Sequence, residues 1–244
     1  MNTKLSTFYK ELKPFWDILW FLILFIGFDF LWKLCVDVGK DGDSLFVFGK
    51  DFTNIIEPIC LWTAKVSHWI VHSLLGYTDF KIEGTLLYFD HPVVFREFFL
   101  DRSLGLRIVW ECTGIQQMVL FSLIIIFYFG PVKKKLWFIP LSMLLLNIMN
   151  VLRIVASALI VKDGFPEWFI AFNEWYNKAQ WHDNYETYWN FYIDWFQMFH
   201  KDVFKWLYYN GVMFILWLVW QEKYNLPYQK LKNIKENDKK TKAT

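Results

Sequence analysis

Long apolar runs alternate with shorter polar and charged segments along this chain. Four runs carry few charges and approach the length of about 20 residues that a helix needs to cross a bilayer. They cover residues 15–35, 113–129, 136–161 and 203–220. The pattern predicts an all-α integral membrane protein in which residues 1–244 form one membrane domain with four transmembrane helices.

Basic residues indicate which ends of these helices face the cytoplasm. The head (residues 1–14), the turn at 133–135 and the tail (residues 221–244) are all rich in lysine. Short segments rich in Lys and Arg stay on the cytoplasmic side. Four spans place all three segments there, where their lysines can meet anionic lipid head groups. We predict that the lysine-rich tail is disordered.

A fifth stretch, residues 53–75, is long enough to cross but carries several charges and histidines. Its apolar residues recur at steps of three and four: Ile55, Ile59, Trp62, Val66, Trp69, Ile70 and Leu74. This is the stripe of an amphipathic helix. A fifth crossing would also move the basic head outside. We therefore predict a helix lying in the membrane interface, with a fifth span as the alternative.

The segments 77–111 and 162–202 then face the extracytoplasmic side. Within the first, Gly84–Phe89 and Leu106–Trp110 have the composition of short strands. A turn pattern, Asp90-His91-Pro92, lies between them. We predict a small hairpin cap that leads into Cys112.

The amino-acid composition supports an integral membrane protein, and the cysteine count and motifs argue against a disulfide framework and a nucleic-acid-binding protein. Residues are 55% hydrophobic and 22% aromatic, far above a soluble domain in aromatic content. Three cysteines are too few for a disulfide framework, and Cys35 and Cys60 lie in apolar surroundings typical of packing. No phosphate-binding glycine loop or nucleic-acid motif is present, so we expect neither a cofactor nor a nucleic-acid partner.

Three chemically unusual residues fall at one membrane depth. Cys112 precedes the second span, and His200 precedes the fourth. Arg153 lies inside the third span, roughly 12 Å below its outer end at about 1.5 Å per residue. A cysteine or histidine in such a place often has no function beyond packing or polarity. An arginine inside a span is costly and is functional by default.

Together the three residues suit acyl transfer. A thiolate at Cys112 is a nucleophile, and His200 can take its proton and later protonate a leaving amine. Arg153 can stabilise the tetrahedral oxyanion. The backbone N–H groups of Thr113 and Gly114, at the start of a helix, can add oxyanion donors.

Two roles stay open at this stage. Glu111 either orients His200, binds a substrate cation, or is an ordinary acid at a helix start. His182, in the outer loop, competes with His200 as the base. We favour His200 because its place beside a span fixes its depth.

The motifs Glu111-Cys-Thr-Gly-Ile and Asn150-Val-Leu-Arg-Ile, with His200 before the last span, resemble the exosortase/archaeosortase family. The resemblance implies a membrane-embedded cysteine transpeptidase of the bacterial cytoplasmic membrane with its site on the extracytoplasmic side. Its partners would be exported proteins with a C-terminal transmembrane sorting signal, moved to a cell-surface acceptor. The resemblance also implies that Cys112 is the nucleophile and that Arg153 and His200 act with it. Asn150 would support them. In many family members a glycine stands at the position of Lys205, directly before the aromatic residue. Because this chain departs from that pattern, His182 stays an alternative to His200 as the base.

Two other functions were weighed. A non-enzymatic membrane assembly or transport subunit would use Asn147, Asn150 and Arg153 to line a helix contact or a pore. A metalloprotease would use His68 and His72, whose spacing of four suits zinc on one helix face. No glutamate of a zincin motif lies between them, so we expect no metal site.

Overall fold

The computed structural model describes residues 3–39, 44–90, 94–95, 98–99, 105–163, 165–177, 195–196, 198, 203 and 208–242. The helices are α1 (Thr3–Cys35), α2 (Thr53–Trp69), α3 (Ile115–Phe127), α4 (Val132–Asp163), α5 (Glu167–Asn177), α6 (Tyr209–Trp220) and α7 (Leu226–Lys242). The strands are β1 (Val36–Val38), β2 (Leu45–Val47), β3 (Lys50–Asp51), β4 (Phe80–Glu83), β5 (Leu86–Phe89), β6 (Val94–Phe95), β7 (Phe98–Phe99) and β8 (Leu106–Arg107).

Two of the described helices are long and apolar enough to cross a membrane: Phe15–Cys35 within α1 and Val132–Lys162 within α4. Helices α1 and α4 as a whole extend beyond the predicted runs, because the lysines that flank these runs are good helix formers. Helix α4 begins directly after Pro131, a residue that suits the start of a helix and not its interior.

The second predicted span is shorter than residues 113–129. Gly114 has a φ of 73°, in the left-handed region, so α3 cannot begin before Ile115. Tyr128 is extended and ends the helix after Phe127. The 13 residues of α3 cover about 20 Å, less than the thickness of a bilayer core of about 30 Å. Helix α6 runs from Tyr209 to Trp220, and residues 204–207 of the fourth predicted span lie outside the described residues.

The prediction of a disordered tail is wrong. Residues Gln221–Asn225 form a π-helical turn that continues α6 into α7. The turn is fixed by buried side chains: Gln221 donates a hydrogen bond to Asp17 of α1, and Asn225 donates one of 2.7 Å to Gln221. Composition alone predicts disorder, but this contact with α1 and the helix-forming Lys, Gln and Leu residues favour a helix.

Helix α2 and the π-helical turn Ile70–Leu74 occupy the range 53–75. The buried face consists of Cys60, Thr63, Ala64 and Ser67. Most of the predicted apolar stripe points away from the protein instead, with Ile55, Trp62, Trp69 and Leu74 all exposed. An apolar exposed face suits contact with lipid, and the interfacial position remains a prediction.

Three small antiparallel sheets accompany the described helices. The sheet β4-β5-β8 pairs Phe80 with Phe89 and Leu87 with Leu106, in the segment predicted as a hairpin cap. The sheet β1-β2-β3 was not predicted, because strands of two or three residues are too short for an apolar alternation to be detected.

Two apolar clusters divide the described core. One joins α2, the cap strands and the second half of α4, and it contains Cys112. The other joins α1, α3, α6 and the first half of α4 around Trp217 and Trp220. The candidate site residues around Cys112 and Arg153 lie where these two clusters meet.

Candidate active site

Cys112 lies in a 3₁₀ turn, Trp110–Thr113, that precedes α3. The Thr113 hydroxyl donates a hydrogen bond of 2.6 Å to the carbonyl oxygen of Trp110 and closes the turn. Gly114 then reverses the backbone in its left-handed conformation. The result is a cysteine that is 8% exposed, held at the start of an apolar helix.

Helix α4 holds the backbone of Cys112 from the side. Asn150 Nδ2 donates a hydrogen bond of 2.7 Å to the Cys112 carbonyl oxygen, and Arg153 Nη2 donates a longer one of 3.4 Å to the same atom. The two side chains lie three residues apart, on one face of the helix. The contact therefore fixes the peptide group of the cysteine and leaves its thiol out of these bonds.

Tyr209, at the start of α6, completes the arrangement. Its hydroxyl donates a hydrogen bond to Asn150 Oδ1. Its ring lies 5.4 Å from the guanidinium carbon of Arg153, within the range of a cation–π interaction. Sequence reasoning missed Tyr209, because a tyrosine inside an apolar run suggests packing. The polar pair Tyr209-Asn210 within the run 203–220 was the available signal.

Arg153 is buried, with 3% of its surface exposed. Its Nε has no hydrogen-bond partner among the described residues, and no carboxylate in that part of the chain pairs with it. A buried cation is stable only when its hydrogen-bonding groups are satisfied. Among the described residues, the guanidinium therefore keeps a donor, Nε, that the fold does not pair.

The structure brings together five of the predicted site residues: Cys112, Thr113, Gly114, Asn150 and Arg153. Thr113 belongs to the turn and not to the first turn of α3. Glu111 is exposed and lines a neighbouring cavity. The two candidate bases, His200 and His182, lie outside the described residues.

That cavity has a volume of about 270 Å³ and lies between α1, the Cys112 turn and α6. Its polar lining consists of Asp29, Lys33, Glu111, Gln116, Gln117 and Asn210, above apolar Phe25, Leu120 and Met213. Asp29 accepts hydrogen bonds from the Lys33 ammonium at 2.7 Å and from Gln116 Nε2 at 3.5 Å.

The histidines of α2 and its π-helical turn make local contacts. His68 Nε2 donates a hydrogen bond of 3.0 Å to the carbonyl oxygen of Phe80, and its ring stacks on His72. In the part of the chain that the structure describes, no group of three or more His, Cys, Asp or Glu side chains is arranged to hold a metal ion.

Comparison with known protein families gives a match. The family of transmembrane exosortases matches residues 13–189, more than two thirds of the chain. No curated protein and no solved structure matches. The matched range contains Cys112, Asn150, Arg153 and His182, and it ends before His200. The chain belongs to the transmembrane exosortase family.

Proposed function

We propose that this chain is a cysteine protease and transpeptidase that cleaves a C-terminal sorting signal from exported proteins and transfers them to a cell-surface acceptor. Family membership supports a membrane-embedded sorting transpeptidase in general. The observation that carries the finer proposal is the double hydrogen bond from Asn150 and Arg153 to the carbonyl oxygen of Cys112. It fixes the backbone of a buried cysteine against a buried cation, whose Nε is unpaired among the described residues.

In this proposal the Cys112 thiolate attacks the carbonyl carbon of the scissile peptide bond. The thiol proton passes to an imidazole base, which then protonates the leaving amine. Arg153 stabilises the oxyanion of the tetrahedral intermediate. The product is a thioester, which an acceptor nucleophile resolves. Thr113 and Gly114 shape the turn that presents the thiol, and Asn150 positions its backbone.

The base is His200 or His182. His200 precedes the last apolar run, whereas His182 lies inside the range that matches the family. Single replacements by alanine distinguish them. The base variant loses cleavage by about 100-fold or more, in line with the usual contribution of a general base, and the other variant retains it.

We place the site at the extracytoplasmic face of the bacterial cytoplasmic membrane, in a domain of four spans. The basic head, the turn at 133–135 and the tail support this orientation. The exposed apolar faces of α1 and α4 support contact with lipid. A substrate with its own C-terminal transmembrane helix would arrive within the same bilayer, which limits its search to two dimensions.

The test is a comparison of two host strains that carry Cys112→Ala and Cys60→Ala. Cys60 is a second buried cysteine, in α2, and serves as the matched control. Mass spectrometry follows the C-terminal peptides of exported proteins that end in an apolar helix and basic residues. We expect intact C-termini to accumulate only in the Cys112→Ala strain. Normal processing in that strain would favour the non-enzymatic assembly or transport role.

A further inference from the structure

A groove lies at the end of α3 that is farther from Cys112. It has a volume of about 500 Å³. One wall is the segment Tyr128–Gly130, which follows α3, and the other is one face of α7 with the last residue of the π-helical turn before it. The 13 residues of α3, about 20 Å of helix, separate the groove from the Cys112 turn. The groove is therefore distinct from the candidate active site.

The helical wall of the groove carries a row of amide side chains at steps of four residues. The row consists of Gln221, Asn225, Gln229 and Asn233, of which the last three line the groove. Asn225 Nδ2 donates a hydrogen bond of 2.7 Å to Gln221, and Gln229 Nε2 donates one of 3.1 Å to Asn225. Gln221 in turn donates to Asp17 of α1. These bonds hold the wall in place, so the groove is formed before any ligand binds.

The lining of the groove combines hydrogen-bond donors with an apolar surface. Lys232 and Asn233 are exposed and supply an ammonium and an amide N–H, next to Gln229. Phe129, on the opposite wall, is 51% exposed and stacks on Trp20 of α1. Among the described residues, no aspartate or glutamate lines the groove. A molecule that suits this lining has an anionic group at one end and an apolar part at the other.

The groove lies where a membrane-spanning segment begins. The apolar, span-length part of α4 starts at Val132, two residues after Gly130. Trp220 Nε1 donates a hydrogen bond of 2.9 Å to the carbonyl oxygen of Phe129, so α7 begins at the same level. Helix α7 exposes both apolar and basic side chains there: Tyr228, Leu231 and Ile234 with Lys230, Lys232 and Lys235. In a transmembrane family, such a surface suits the boundary between lipid and water.

We propose that this groove binds one anionic glycerophospholipid. Its phosphate accepts hydrogen bonds from the Lys232 ammonium and the Asn233 amide, and an acyl chain lies on the ring of Phe129. Basic pockets beside membrane spans bind phospholipid head groups in this way, and a bond from an ammonium to a phosphate is among the stronger hydrogen bonds. A free phosphate would use the donors and leave Phe129 uncovered. The bound lipid joins α7 to the segment after α3, so it stabilises the folded chain.

The test uses the full chain, purified in a neutral maltoside detergent, and measures lipid binding by native mass spectrometry and thermal melting. The probes are dioleoylphosphatidylglycerol, which is anionic, and dioleoylphosphatidylcholine, which is not. A third probe, glycerol 3-phosphate, has the phosphate without acyl chains. The variants are Lys232→Gln and Asn233→Leu. The matched control is Lys230→Gln, an exposed lysine of the same helix that does not line the groove.

We expect the wild type to retain one phosphatidylglycerol per chain, to bind it about tenfold or more tightly than phosphatidylcholine, and to melt at a higher temperature with it. Lys232→Gln should weaken this binding about tenfold and Asn233→Leu about fivefold, the sizes expected for a charged and a neutral hydrogen bond. Lys230→Gln should stay within about twofold of the wild type. Without lipid all three variants should melt like the wild type, because the replaced side chains are exposed.

Three results overturn the lipid site. Equal affinity for the two phospholipids means that the groove does not recognise an anion. Binding of glycerol 3-phosphate as tight as that of phosphatidylglycerol makes the ligand a free phosphate. An equal loss of binding in Lys230→Gln and Lys232→Gln means that the lysines of α7 attract anionic lipid without a defined site. If Lys232→Gln fails to fold, wild-type binding by Asn233→Leu has the same meaning. None of these results bears on the proposed reaction at Cys112.

Discussion

Asn150 Nδ2 lies 2.7 Å from the carbonyl oxygen of Cys112, although 38 residues separate the two along the chain. The bond joins α4 to the turn before α3 and is buried. Asn150 accepts a hydrogen bond from Tyr209 at its other end, so one amide side chain links three parts of the fold. The position of the cysteine backbone thus depends on α4 and α6.

Asn150→Ala should therefore impair both stability and activity. It leaves the Cys112 carbonyl with only the longer bond from Arg153 and deprives the Tyr209 hydroxyl of its partner. We expect a loss of about 1–3 kcal/mol in unfolding free energy. Cleavage should fall by roughly 100-fold, the size expected for a displacement of about 1 Å at a reacting group. Thermal melting in detergent and a cleavage assay in membranes measure the two effects.

The matched control is Asn147→Ala, one turn earlier on the same helix and partly exposed. It removes the same side chain without touching the Cys112 turn, so cleavage should stay within about twofold of the wild type, as is usual for a surface change of ±0.5 kcal/mol. Wild-type cleavage by Asn150→Ala would show that the hydrogen bond to Cys112 does not matter for the reaction.

Tyr209 contributes a hydroxyl to Asn150 and a ring to Arg153, and two substitutions separate them. Tyr209→Phe keeps the ring and removes one hydrogen bond, which costs about 1 kcal/mol. Tyr209→Leu also removes the cation–π contact at 5.4 Å and should cost about 1–2 kcal/mol more. Cleavage rates should follow the order wild type, Phe, Leu. Equal cleavage rates for the Phe and Leu variants would mean that the ring of Tyr209 does not contribute to the reaction.

Gly114 is required for the turn that carries Cys112. Its φ is 73°, and a Cβ there would lie 3.4 Å from Asn150 and from the Tyr209 hydroxyl. Gly114→Ala should cost about 1–2 kcal/mol for the backbone conformation alone. It should also displace the cysteine and reduce cleavage.

Gly27→Ala, inside α1, provides the comparison, since a Cβ there meets nothing within 4 Å. Alanine in a helix interior is favoured over glycine by about 1 kcal/mol. The control should therefore melt at the same or a higher temperature. If Gly114→Ala behaved like Gly27→Ala, the left-handed conformation at Gly114 would be wrong.

The C-terminal end of α4 is joined to the sheet β4-β5-β8 by Lys162, which pairs with Asp79 and lies 5.1 Å from the ring of Phe89. Both charged side chains are largely buried. A double-mutant cycle with Lys162→Met and Asp79→Asn should give a coupling of about 1.5–3 kcal/mol in unfolding free energy. The exposed pair Lys81–Asp90 should give less than about 1 kcal/mol in the same cycle. Equal couplings would mean that burial does not strengthen the Lys162 pair.

Apolar run length was enough to predict the long helices α1 and α4, because crossing a bilayer imposes a length that composition reveals. It was not enough for α3, where a single left-handed glycine, Gly114, sets the start of the helix. The tail was mispredicted for a similar reason. Its helix depends on a buried contact between Gln221 and Asp17, 204 residues apart, which composition cannot indicate.

The meeting of Cys112 and Arg153 was predicted from their shared depth in the membrane, and the structure places them in contact. The position of a residue along the span could not show that Arg153 donates a hydrogen bond to the backbone carbonyl oxygen of Cys112 and not to its sulfur. Which atoms meet depends on the side-chain rotamers. Nor could that position identify Tyr209, whose ring resembles the packing aromatics around it. The role of His200 and the acyl-transfer roles of the site residues stay predictions.

The most direct test of the central claim is a search for a covalent intermediate on Cys112. Membranes from the native host are quenched in acid, the full chain is isolated, and the peptide that contains Cys112 is analysed by mass spectrometry. We expect a polypeptide thioester on that peptide, released by hydroxylamine and absent from Cys112→Ala, with Cys35 and Cys60 unmodified. A thioester on another residue, or active cleavage with no adduct on Cys112, would contradict it.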